Sequence, residues 1–404
     1  MRSNVNRVLA VLFCAGILLV SVMTLITSGR SFAYGFFKSY TDQLRSDSDV
    51  FDNIEARIYK LNYNAEYRLW GRDALRRLSA RSQMLPFKHL INIADYDMLR
   101  LNSGGYYNVS SGPYDPEYAL EHIAFAKDIE KNYGIKTALV YCHCALYEDG
   151  LLPGDSAYYD NNNAYADKLI GEFRSAGISV CDSRDSYIHS GLTINEAVNK
   201  SDVHWTHLMA LYTAYDAAKT VNRDLGLNLD AEALNPENFE REVYEKRLSG
   251  EYAKRVGDGM VEADDVYVLY PKYDTHILYE ELGVPGSKRE GTFRDAAIIP
   301  DNLEPDEGKS YSSNAYYIYG HYLAQTHTVN PDAANDVRVL VFKDSYGSPL
   351  SIFMGLSARE VYSVDPRSST KTIDEWVSEL KPDLVIFAYS EQTFRRISAV
   401  IAAD

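Results

Sequence analysis

Val337-Arg338-Val339-Leu340-Val341-Phe342-Lys343-Asp344-Ser345-Tyr346-Gly347-Ser348 is the stretch from which the architecture is read. Val337 to Phe342 is a short apolar run predicted as a strand, and Pro349 to Leu356 has the pattern of a helix. Ser345 therefore falls on a strand-to-helix turn, at the carboxyl edge of a sheet. The free N–H groups of the helix start lie close to such a position. That geometry suits a nucleophile whose oxyanion must be held.

The same rhythm runs outward in both directions. Upstream, Pro116–Lys131 is predicted as a helix, Thr137–Tyr141 as a buried strand, Asn162–Ala176 as a helix closed by Gly177, and Ile178–Cys181 as another strand. Thr206 is placed to cap a helix reaching about Arg223, with Gly226 beyond it. Downstream, Glu360–Val364 and Asp383–Ala388 read as strands, with Ile373–Leu380 as the helix between them. Strand and helix in alternation imply a mainly parallel sheet with helices on its faces. Residues 227–330 break this order with Pro, Gly, Asp, Glu and Tyr, and read as an insertion of hairpins and loops that shapes a cleft.

The amino terminus has a different character. Val8 to Thr27 is uncharged and mostly apolar, long enough to span a bilayer, with Arg2 and Arg7 before it. It reads as an uncleaved signal anchor with a cytoplasmic amino terminus, leaving the rest of the chain extracytoplasmic. Ser31-Phe32-Ala33 offers a cleavage site as the alternative, which would make the protein secreted. The organisation expected is an anchor at 1–33, a helical or stalk region at 34–115 with helical pattern across Asp52 to Arg81, and a catalytic domain at 116–404 carrying the insertion.

Composition limits the partners. Across 404 residues the formal net charge is -16, which repels phosphate backbones and argues against nucleic acid. Cys142 and Cys144 would share one side of a strand, near Cys181, so a disulfide is possible outside the cytoplasm, although buried thiols are the simpler reading. Cys142-His143-Cys144 has no second ligand pair at zinc-like spacing, so no metal and no cofactor are expected.

Acyl transfer through serine needs a nucleophile, a base, a carboxylate to orient the base, and donors for the oxyanion. Ser345 supplies the first. Asp202-Val203-His204-Trp205-Thr206 supplies the next two: His204 as base, and Asp202 two residues earlier to reach the imidazole nitrogen turned away from serine. The Ser345 N–H, Gly347 and Gly250 are candidate oxyanion donors, and Trp205 and Arg367 are candidate substrate contacts.

Asp202-Val203-His204-Trp205-Thr206 resembles the Asp-x-His-Trp-Thr signature of SGNH-hydrolase-like proteins that O-acetylate alginate. It equally resembles the bacterial DHHW family, named for the tetrad Asp-His-His-Trp, with Val203 where the tetrad has its first histidine. Lys343-Asp344-Ser345-Tyr346 is similar to that family's serine block. Leu152-Pro153-Gly154, Val364-Asp365-Pro366-Arg367 and Lys381-Pro382-Asp383-Leu384-Val385 add further matches, in order, over roughly 116–395. The resemblance implies a flavodoxin-like (SGNH-hydrolase-like) α/β three-layer sandwich and export. It also implies a Ser-His-Asp triad that O-acetylates a cell-surface polysaccharide through an acetyl-serine, with acetyl delivered by a polytopic membrane partner. Two alternatives remain at this level: a carbohydrate acetyl-esterase with the same triad, and a non-catalytic surface protein that binds glycans or assembles a complex.

Overall fold

The computed structural model describes residues 2–44, 69–84, 89–93, 96–109, 114–143, 151–154, 161–257, 259–321, 324–390, 393–394 and 397. It divides into two compact units, Met1–Pro86 with Val256–Asp258, and Phe87–Arg255 with Gly259–Asp404.

The first unit contains helix α1 (Arg2–Leu44) and helix α2 (Arg72–Met84). Within α1, Ala10–Gly29 has a mean hydropathy of 2.5 over 20 residues. At 1.5 Å of rise per residue this is about 30 Å, the thickness of a bilayer core. Leu12, Phe13, Leu18 and Leu25 are exposed along it, as an anchor or a signal sequence requires. Of the helical pattern expected across Asp52 to Arg81, the structure has a helix over Arg72–Met84, and the part before residue 69 lies outside the described residues.

The second unit opens with a small antiparallel sheet, β1 (Leu90–Ile93), β2 (Tyr96–Arg100) and β3 (Tyr106–Asn108). Alternation of helix and strand then begins: α3 (Glu117–Tyr133), β4 (Lys136–Tyr141), α4 (Asn162–Ser175), β5 (Ser179–Asp182) and α5 (His207–Leu225). Next come β6 (Phe239–Leu248), β7 (Asp264–Pro271), β8 (Ile277–Glu281), β9 (Arg289–Gly291) and β10 (Thr326–Val329). The chain continues through β11 (Arg338–Lys343), α6 (Gly347–Met354), β12 (Glu360–Val364), α7 (Ile373–Leu380) and β13 (Leu384–Tyr389). The five strands expected in this alternation form within one residue of their anticipated limits.

One large sheet has the order β5-β4-β13-β11-β12-β10-β8-β9. From β5 to β12 neighbouring strands are parallel. From β12 onward they are antiparallel. Of the strands in the insertion, β8, β9 and β10 widen this sheet, while β6 and β7 pair separately.

The central strands are buried on both sides, and their residues alternate between two apolar clusters. Val140, Val341 and Ile386 pack with α5 and α6, whereas Leu139, Phe342 and Phe387 pack with α3, α4 and α7. Capping is local and legible. Thr206 Oγ1 accepts from the Met209 N–H at 3.3 Å, and Gly226 takes the left-handed conformation that ends α5. Cys142 and Cys181 are buried, and Cys144 lies outside the described residues.

Candidate active site

Parallel strands place their carboxyl ends along one edge, and two segments meet at that edge. The first is the turn after β11. Lys343 ends the strand, Gly347 starts α6, and Asp344, Ser345 and Tyr346 make the corner. The second is the loop entering α5, whose last residues are Asp202 to Thr206.

The corner is fastened by Asp344. Its buried carboxylate accepts the Tyr346 N–H at 2.9 Å on one oxygen. The other oxygen accepts the Ser390 N–H at 2.9 Å, the Ser390 hydroxyl at 2.7 Å and the Thr393 hydroxyl at 2.6 Å. The serine turn is thereby tied to the end of β13. Lys343 is buried beside it and donates to Ser348 Oγ at 2.9 Å. Burial lowers the Lys343 pKa, against the pull of the nearby Asp365 carboxylate.

The histidine loop is fastened by a second buried acid. Asp264 on β7 accepts the N–H groups of Lys200 and Ser201 at 2.7 and 2.8 Å and the Ser201 hydroxyl at 2.6 Å. The Asn199 amide donates to the carbonyls of His204 and Trp205 at 3.0 and 3.2 Å. Trp205 is fully buried and its indole N–H donates to the Tyr346 carbonyl at 3.2 Å, while the Tyr346 hydroxyl donates to the Val203 carbonyl. These two bonds lock the loops together across 141 and 143 residues of sequence.

Between them the three side chains singled out from the sequence stand in series. Asp202 Oδ1 holds His204 Nδ1, and His204 Nε2 is 2.7 Å from Ser345 Oγ. With Nδ1 donating to the carboxylate, Nε2 keeps its lone pair for the serine proton. Asp202 also accepts the N–H groups of His204 at 3.1 Å and Glu251 at 2.9 Å. Burial alone would raise its pKa, but His204 and these donors outweigh burial and hold the carboxyl at about 2. Ser345 is half-buried, accessible to a ligand. Its N–H has no acceptor among the described residues, so it is free to hold an oxyanion.

The other residues singled out from sequence occupy different places. The Gly347 N–H donates to the Asp344 carbonyl at 3.2 Å, and a Cβ there would meet Lys343 Cβ at 2.6 Å, so this glycine permits the tight corner. The Gly250 N–H donates to Ser201 Oγ at 3.3 Å, on the Asp202 side of the imidazole. A Cβ on Gly250 would fall 1.8 Å from Asp202 Oδ2, so its lack of a side chain makes room for the carboxylate. Both glycines thus have their N–H groups engaged away from Ser345. Trp205 is sealed in the core as a clamp. Arg367 makes a two-pronged bond to the buried Asp365, at 2.8 and 2.6 Å.

The roles of three contributors were not read from the sequence. Asp344 appears there within the serine block on a turn, Ser390 lies beyond the strand expected over Asp383–Ala388, and Tyr316 is one of 33 tyrosines. Tyr316 comes from a short helix in the insertion, Ala315–Tyr319, and lies flat against the His204 ring at a centroid distance of 3.9 Å. Among the described residues no group of His, Cys, Asp and Glu has the arrangement of a metal site.

No family model matches the chain, and no curated protein does. Solved structures do. A DHHW family protein from Eubacterium siraeum is similar with a TM-score of 0.54 at 17% identity, over 78% of this chain and 94% of that one. Bacillus cereus PatB1, solved with a sulfonyl adduct, is similar with a TM-score of 0.56 at 14% identity, over 75% and 96%. The O-acetyltransferase domain of Pseudomonas putida AlgJ overlays more loosely, at 0.43 and 12% identity over 76% and 99%. The chain therefore has the α/β fold of the DHHW family protein and of PatB1.

Proposed function

We propose that this protein is an extracytoplasmic O-acetyltransferase of a cell-surface polysaccharide, working through Ser345, His204 and Asp202. The observation that carries the reading is the unbroken series from the Asp202 carboxylate through both nitrogens of His204 to the Ser345 hydroxyl, closed at 2.7 Å. The sequence resemblance to acetylating proteins supplies the reaction class. The domain limits proposed are an anchor at 1–33, a stalk region at 34–115 and a catalytic domain of three-layer flavodoxin-like form at 116–404.

His204 Nε2 takes the Ser345 proton as Oγ attacks the acetyl carbonyl carbon. The carbonyl oxygen becomes an oxyanion, held by the Ser345 N–H. Collapse expels the donor's leaving group, which takes the proton from His204 and leaves acetyl-Ser345. A sugar hydroxyl then gives its proton to His204 and attacks the ester, and collapse returns the proton to Ser345. Asp202 stabilises the imidazolium in both halves and keeps its orientation. The basic residues before the apolar stretch of α1 favour a cytoplasmic amino terminus, and a polytopic membrane partner would supply acetyl groups.

Labelling of the detergent-solubilised protein with a fluorophosphonate or a sulfonyl fluoride tests this. The wild type is expected to label at Ser345, and both Ser345→Ala and His204→Ala to lose it. Equal labelling of all three removes the triad. In acetyl-ester assays, transfer to an added glycan supports the transferase, and hydrolysis indifferent to the glycan makes the protein an esterase.

A further inference from the structure

The Tyr316 ring is stacked with two histidines. His204 lies on it at a centroid distance of 3.9 Å and 10°, and His207 at 5.3 Å and 20°. His204 lies in the loop that enters α5, and His207 is the first residue of that helix. Tyr316 is pinned at its edges too. Its hydroxyl donates to the Ser345 carbonyl at 3.3 Å, and its own carbonyl faces His207 Nε2 at 2.9 Å. His207 Nδ1 faces the Tyr267 carbonyl at 3.1 Å. A ring fixed at this many points holds the plane of whatever lies on it.

We propose that Tyr316 is a positioning residue for the base: its ring fixes the plane of His204 and presents a π face to the imidazolium formed when Ser345 loses its proton. This rests on the triad reading above. A cation over a phenol face is attracted by the ring's quadrupole, and the attraction grows when water is excluded. Tyr316 is 2 % exposed, and burial keeps its phenol protonated. The second stacked ring, His207, adds no competing charge at neutral pH, because burial brings it down to about 4 against the pull of its two carbonyls. The other titratable groups around His204 are Asp202 at Nδ1 and the phenols of Tyr317 and Tyr346, with ring centroids at 6.0 and 4.9 Å. Asp344 and Cys142 also face Tyr316. None of these is a cation, so Tyr316 meets a positive charge only when His204 is protonated.

The test replaces Tyr316 in the full chain by phenylalanine and then by mono-, di- and trifluorophenylalanine. This series keeps the ring's shape, and with it the packing, while draining its π face. The His204 titration is followed by NMR with labelled histidine, and kcat and KM by acetyl-ester turnover. From phenylalanine to the trifluoro ring, the His204 midpoint is expected to fall stepwise by roughly half to one pH unit. With it kcat is expected to fall about 3- to 10-fold at constant KM. Tyr316→Phe itself should leave the midpoint in place. A midpoint that stays constant across the series overturns the proposal. Failure of Ser345 to label in the wild type is a separate result: it removes the triad, while the NMR titration still decides whether the ring acts on His204.

Discussion

Gly250→Ala is the sharpest perturbation of the site that replaces none of Asp202, His204 and Ser345. The added Cβ would lie 1.8 Å from Asp202 Oδ2 and 2.3 Å from its Cγ, whereas such carbons tolerate nothing under 3.0 Å. Something must therefore move by about 1.2 Å. The backbone is poorly free to do so, since the Gly250 N–H is bound to Ser201 and its carbonyl accepts the Lys254 N–H at 3.1 Å. The carboxylate gives way instead, leaving the Glu251 N–H and tilting His204 off Ser345. Misplacing a catalytic group by about 1 Å costs on the order of 100-fold in rate, and overfilling a packed site costs roughly 1–3 kcal/mol of stability. The assay is kcat/KM for a chromogenic acetyl ester, with melting temperature, in the wild type, Gly250→Ala, Asp202→Ala and the double variant. Gly250→Ala is expected to lose about 100-fold or more. In the Asp202→Ala background, where the methyl fits the vacated space, the further loss should stay within about 3-fold. Wild-type turnover in Gly250→Ala, or the same loss in both backgrounds, would refute the reasoning.

Asp344→Asn is expected to destabilise the fold by about 2–4 kcal/mol, because in either orientation the amide N–H₂ meets donors; urea melts measure it. Asp202 links stability to acid. Its carboxyl titrates near 3.8 when unfolded and about 2 when folded, so across that window the unfolded chain binds more protons and stability falls as pH drops. The stability gap between wild type and Asp202→Asn should narrow from pH 4 to pH 2 in denaturant titrations, and a constant gap would contradict it. Trp205→Phe keeps a ring in the core but leaves a void and removes the bond to the Tyr346 carbonyl. A loss of about 2–3 kcal/mol in the melt and a measurable fall in kcat are expected, whereas unchanged kcat would show that the clamp does not reach Ser345.

The parallel core was legible because each of its strands is a compact apolar run bounded by turn residues, and β11 and β13 in particular have almost no polar interruption. The meeting of Asp202, His204 and Ser345 was legible for a related reason: they sit in short, ordered motifs at predictable corners. The edge of the sheet was not. β8 and β10 alternate buried with half-buried residues, which fits any hairpin, and nothing local says that Thr326 will pair with Ser363. Tyr316 was hidden by abundance, and Gly250 by the fact that a glycine's neighbours are known only once the chain is folded. Asp344 stood in plain view, but its partners Ser390 and Thr393 are 46 and 49 residues away.

The position of β13 has a consequence for the life of the chain. β13 follows the other strands of the large sheet along the chain, yet it lies between β4 and β11, in the middle of that sheet. Until it slots in, the strand leading to Ser345 has no neighbour on that flank, and Asp344 lacks the hydroxyls that steady it. The corner at Ser345 therefore takes its final shape only after that pairing is made.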